Sequence, residues 1–128
     1  MTTADLNKDQ INVYDGLDSI VIVNDLGDVP GGRTLNVSGV SSDISVIKSG
    51  HIIIENNTTG EVSPLGVTSG AYVTLPSGSS YLGVLKASIP KRDARAAILT
   101  IGQVNAAASP YPVTSAIKTG LPRIEFIN

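Results

Sequence analysis

The stretch HIIIENNTTGEVS, residues 51–63, decides how this chain is read. Ile52 to Ile54 is a run of β-branched side chains, whose two heavy atoms on Cβ stiffen χ1 and suit the pleated surface of a strand. The run breaks at Asn56-Asn57-Thr58-Thr59-Gly60, residues that adopt turn conformations and hydrogen-bond their own backbone. An extended pattern resumes at Glu61-Val62-Ser63, so the spacing predicts a hairpin.

The same grammar extends in both directions. Downstream, Ala71 to Leu75 and Leu82 to Ile89 flank Pro76-Ser77-Gly78-Ser79-Ser80, which predicts a second hairpin. Arg95 to Val104 is the longest extended stretch, with alanines and a glycine that suit close packing. Upstream, Ser19 to Val23 is a β-branched run bounded by Asp18 and Asn24-Asp25, and Val29-Pro30-Gly31-Gly32 is a strong turn. Arg33 to Ser38 alternates polar and apolar, as a strand with one wet face does. One helix is expected over Pro112–Thr119, with Val113, Ala116 and Ile117 on one face and Gly120 and Pro122 as stop signals. Arg123 to Ile127 then reads as a final strand. The expected fold class is mostly β with a minor α part: a small antiparallel β-barrel-like domain over residues 19–128, one short C-terminal helix, and an extended N-terminal arm over residues 1–18.

Composition narrows the function classes. A chain of 128 residues is one domain's worth, long enough to bury roughly two thirds of its unfolded surface. It has no cysteine, which removes disulfides and thiolate metal sites. Met1 leads into Thr2-Thr3-Ala4-Asp5 rather than an apolar core, so a soluble product without a targeting segment is expected. A net charge of -2 argues against nucleic acid, whose binding rests on many cationic contacts to phosphate, and no run is long enough to suggest a membrane partner. The charge is uneven, -4 over residues 1–50 and +2 over residues 51–128; the acids read first as solvated turn residues, with attraction within or between chains as the alternative.

No stretch has the makings of a catalytic or cofactor site. His51 is the single histidine and opens an isoleucine strand, where a structural role is expected. Asp25-Leu26-Gly27-Asp28 has a fragment of a calcium loop without its alternating oxygen ligands and closing glutamate, and reads as a turn. Ser77-Gly78-Ser79-Ser80 has the small residues of a phosphate cradle but no lysine or helix behind it, and reads as a hairpin loop. Lys91-Arg92-Asp93-Ala94-Arg95 is the densest basic cluster and reads by default as a solvated loop; as a binding surface it suits an acidic protein better than nucleic acid, since no aromatic residues interleave with it. Neither an enzyme nor a cofactor or metal is therefore expected.

The order of short motifs in the second part of the chain points to a class. Ser49-Gly50-His51-Ile52-Ile53-Ile54-Glu55, Thr59-Gly60-Glu61-Val62-Ser63-Pro64-Leu65, Tyr81-Leu82-Gly83-Val84-Leu85, Ala96 to Asn105, and the helix and strand of Val113 to Ile127 follow one another. This series resembles the lambda-type head decoration proteins of tailed bacteriophages, over residues 49–127. The chain departs from that pattern at Lys86 to Arg92, where the family has a glycine-acid segment, and residues 1–48 have no counterpart. Capsid-anchoring parts of phage head fibres are a close alternative. A glycan-binding or adhesin module is an alternative of another class, weakened by the absence of Trp.

The resemblance implies a structural virion protein on the outer capsid surface, made in the host cytoplasm. Its partners would be the major capsid protein, itself as a homotrimer, and other head proteins or fibres. The capsid-binding anchors would be Leu6, Ile11, Val13 and Tyr14 of the arm, ordered by adding a strand to a sheet edge. Lys91, Arg92 and Arg95 form the alternative docking loop, and trimer contacts are expected on the strands at residues 51–54 and 98–104.

Overall fold

The computed structural model describes residues 21–29, 32–40 and 42–127. Within them the strands are β1 (Ile22–Asp28), β2 (Arg33–Thr34), β3 (Val46–Ile47), β4 (Ile52–Asn56), β5 (Val62–Pro64), β6 (Val67–Thr68), β7 (Ala71–Tyr72), β8 (Ser79–Leu85), β9 (Ile89–Pro90), β10 (Arg95–Ala96), β11 (Ile98–Asn105) and β12 (Ile124–Ile127). A complete α-helix, α1, spans Ser115–Gly120, and single 3-10 turns occupy Lys91–Asp93 and Ala106–Ala108.

One six-stranded sheet organises the molecule, in the order β1-β11-β8-β4-β5, with β12 lying parallel to β11. The other ladders of this sheet are antiparallel. Successive side chains of a strand point to opposite faces. Ile52 and Ile54 accordingly enter one apolar cluster, with Leu99, Val84, Ile117 and Ile124, while Ile53 enters a second, with Leu85, Ile98 and Leu35. The isoleucine run is continuous because the centre of the sheet is covered on both faces. The fold is thus mostly β with antiparallel pairing, as expected, but the strand order is an open path from β1 to β5 and no pair among the described residues closes it into a barrel.

The 51–63 hairpin is as read. Glu55 pairs with Val62 and Ile54 with Ser63, and the Asn56 side-chain oxygen accepts hydrogen bonds from the amides of Thr58 and Thr59 at 2.8 and 3.0 Å. The second predicted hairpin is not formed. β7 turns back onto β6 through Ser69 and Gly70, both at positive φ (54° and 77°), the backbone pattern of a two-residue hairpin turn. β8 instead runs between β4 and β11, where Val84 and Leu85 are fully buried. The Pro76–Ser80 bend is tied to the neighbouring hairpin, with the Asn57 amide donating to the Gly78 carbonyl at 2.9 Å.

Three other boundaries move. β1 continues through Asn24 to Asp28, so Asp25-Leu26-Gly27-Asp28 is strand and not turn. It does so because β11 supplies a full-length partner and because Gly102, with no Cβ, lets the Asn24 carbonyl approach its backbone. Of Arg33–Ser38 only Arg33–Thr34 is laddered, while Leu35 is buried and its amide donates to the Ala94 carbonyl at 2.8 Å. The helix begins at Ser115 rather than Pro112, since the Thr114 hydroxyl caps it by accepting from the Ile117 amide at 3.3 Å. Ile117 is buried, Val113 packs against the core from ahead of the helix, and Ala116 is exposed. The arm predicted over residues 1–18 lies outside the described residues.

Candidate functional site

Of the sequence candidates, Leu6, Ile11, Val13 and Tyr14 lie outside the described residues. Lys91, Arg92 and Arg95 do lie together, on the 3-10 turn and the start of β10. The turn is fixed at both ends: the Lys91 amide donates to the Ser45 carbonyl at 2.8 Å, and Arg95 is in register with Thr34. The Lys91 ammonium also donates to the Val40 carbonyl at 3.2 Å, which turns it toward the body of the protein. Arg95 faces outward, its side chain 82% exposed, with Nε 3.4 Å from an Asp93 carboxylate oxygen.

The β2–β10 ladder adds a cation that sequence reading missed. Arg33 stands opposite Ala96, and Arg33 and Arg95 line the same open cleft of about 360 Å³ with Gly32 and Thr34. Arg33 is held by Glu55 at 3.7 Å and by donation to the Gly60 carbonyl at 2.7 Å. Only the pairing of strands 62 positions apart in sequence joins the two arginines, a signal absent from any local window.

One lysine of the basic part meets two of the acids of the leading part, on β1. Lys86 lies between Asp25 and Asp28, with Nζ donating to Asp28 at 2.8 Å and in contact with Asp25. The hydrogen bond to Asp25, then that to Asp28, raises the ammonium above lysine's ordinary range.

His51 sits in the core, 9% exposed, with Nε2 2.8 Å from the Leu65 carbonyl. A carbonyl accepts, so Nε2 carries the proton. Tyr72 and Tyr111 meet the imidazole edge-on, at centroid distances of 5.3 and 5.7 Å. Burial pushes the imidazole pKa below 6.5, outweighing the Leu65 hydrogen bond that raises it. Burial also raises the Tyr72 phenol, whose oxygen accepts from the Ile52 amide at 3.2 Å. Beside His51 opens a cavity of about 330 Å³ whose wall also includes Val40, Ile47, Pro64, Val67 and Tyr111. No three His, Cys, Asp or Glu residues among those described are grouped to hold a metal ion.

The His51 environment sets a pH dependence. Between its lowered folded pKa and 6.5 the unfolded chain binds a proton that the folded chain does not, so stability falls as pH drops through that window. Urea midpoints measured at half-unit steps from pH 8 to pH 5 should decline below about 6.5, and His51→Gln should flatten that part of the profile. An unchanged decline in the variant would assign it to other groups.

The strands at 51–54 and 98–104 do not offer the trimer surface expected of them. Ile52, Ile53, Ile98 and Leu99 are fully buried in the chain's own core, and β4 and β11 each have neighbours on both sides. The large apolar side chains that are exposed among the described residues are Leu26 (65%), Val23 (50%) and Val73, the first two on β1 at the sheet edge. No protein-family model, curated protein or solved structure matches this chain.

Proposed function

We propose that this chain is a structural protein of a tailed-phage head that binds the outer capsid surface and bridges capsid subunits. The observation that carries the reading is the fate of the motif series from Ser49 to Ile127: its segments become β4, β5, β8, β11, α1 and β12, one sheet with its helix. The glycine of the Gly83-Val84-Leu85 segment and that of the Gly102-Gln103-Val104-Asn105 segment sit where neighbouring backbone leaves no space for a Cβ. Those motif positions are therefore explained by packing.

On this reading binding is the whole activity. A ligand that binds the intact shell but not its separated subunits stabilises the shell by RT ln(1 + [L]/Kd), about 2.7 kcal/mol at a hundredfold excess over Kd. A trimer multiplies weak contacts, because one docked protomer holds the other two at high effective concentration. The capsid contacts we assign to the anchors Leu6, Ile11, Val13 and Tyr14 of the segment that precedes β1 in sequence. The self-contacts we assign to the β1 edge with Val23 and Leu26.

Deleting residues 2–15 should abolish binding to undecorated heads while leaving the thermal unfolding midpoint within a few degrees of the parent. Charge reversal at Lys91, Arg92 and Arg95 should leave head occupancy close to normal. Full occupancy by the truncated chain together with loss on charge reversal would move the docking surface to the basic loop. Loss of occupancy by neither variant would remove both surfaces.

A further inference from the structure

The cavity beside His51 has the features of a ligand site, and its argument stands whether or not the chain binds capsids. Its volume of about 330 Å³ falls in the range of small-molecule pockets, and its wall is largely apolar. One polar side chain in that wall is nine-tenths buried, His51. Its Nε2 proton is committed to the Leu65 carbonyl, which leaves Nδ1 as a lone-pair acceptor. Among the described residues nothing donates to Nδ1, yet every fully buried side-chain nitrogen and oxygen described has a partner. Nδ1 is thus reached from outside the protein. The wall also holds the exposed Ser45 and Lys48 and the half-buried Tyr111, so His51 Nδ1 is its buried acceptor, suited to a molecule with an apolar body and a hydrogen-bond donor. Tyr111, in the same wall and edge-on to the imidazole, favours an aromatic body, since aromatic rings gain from edge-to-face contact beyond the area they bury.

We propose that this cavity binds phenols, the hydroxyl donating to His51 Nδ1 and the ring lying against Val40, Val67 and Tyr111. His51 is the only histidine, so its imidazole nitrogen and C–H resonances report the site without ambiguity. Titration of the wild-type protein with p-cresol should shift the Nδ1 resonance saturably. Toluene, the same body without the hydroxyl, should bind at least tenfold more weakly, the factor that one hydrogen bond of about 1.4 kcal/mol confers. N-acetyl-tyrosine amide distinguishes the source of the phenol. Competition with p-cresol would mean the mouth admits the tyrosine of a peptide, and no competition would confine the site to free phenols. Val67→Phe, which fills the cavity, should abolish the p-cresol shift. If that variant does not fold, the comparison of the two ligands on wild-type protein decides alone. Equal binding of p-cresol and toluene, or no shift of His51 at millimolar p-cresol, would overturn the proposal.

Discussion

Leu99→Ala is expected to destabilise the protein by about 2–5 kcal/mol, the range for truncating a buried leucine when its surroundings relax only in part. Leu99 is completely buried in the first apolar cluster, and its strand β11 is flanked by β1 on one side and by β8 and β12 on the other. On its own strand it pairs with Val84 and with Asp28, so neighbouring backbone is laddered on both sides and has little freedom to close the void. Its Cδ1 also lies 3.2 Å from the place a side chain at Gly102 would occupy, which shows how closely the strands meet there. In a domain of this size each kcal/mol is worth about 3–5 °C, so the melting temperature should fall by roughly 6–25 °C. A drop of only one or two degrees would mean that the first cluster is loosely packed.

Gly83→Ala is expected to cost about 3 kcal/mol although it adds one methyl group. The new Cβ would fall against the Leu99 carbonyl oxygen and within 2.9 Å of the Ile98 side chain. Backbone cannot rotate aside as a long side chain can, so β8 would have to separate from β11 at the one place where the two are laddered, Ile98 to Leu85 and Leu99 to Val84. Overpacking of this kind usually costs 1–3 kcal/mol, and the rigid partner puts this site at the upper end. Denaturant midpoints for Gly83→Ala and for Gly60→Ala, where a Cβ meets open space at positive φ, should separate the two causes of glycine retention. The loss at Gly60 should be the smaller.

The parts of the fold that were legible in the sequence are those fixed locally. The 51–63 hairpin carries its own turn chemistry in Asn56, the final strand follows a capped helix, and the long β11 announces itself by length. What was not legible depends on partners far along the chain. β1 outruns its apparent boundary at Asn24-Asp25 because Gly102 accepts its backbone, and no window around residue 24 contains that information. The β6–β7 turn was hidden because Ser69 takes a positive φ that Ser seldom adopts, while the Pro76–Ser80 bend that followed drew the prediction. The site is harder still. The His51 cavity gathers its wall from residues 39–40, 44–48, 64–67 and 110–111, and the two arginines of the cleft meet only through strand pairing. His51 itself was noticed for being single, but its lowered pKa comes from burial among residues that the sequence does not bring together.

The account rests on attachment to a capsid. The most direct measurement is cosedimentation of the purified full-length chain with expanded, undecorated tailed-phage heads, across a concentration series. The account predicts saturable binding that levels off at three copies per local threefold position, and heads that then survive heating or chelation better than bare ones. A chain that stays in the supernatant at tens of micromolar, with heads no more resistant than before, would contradict it.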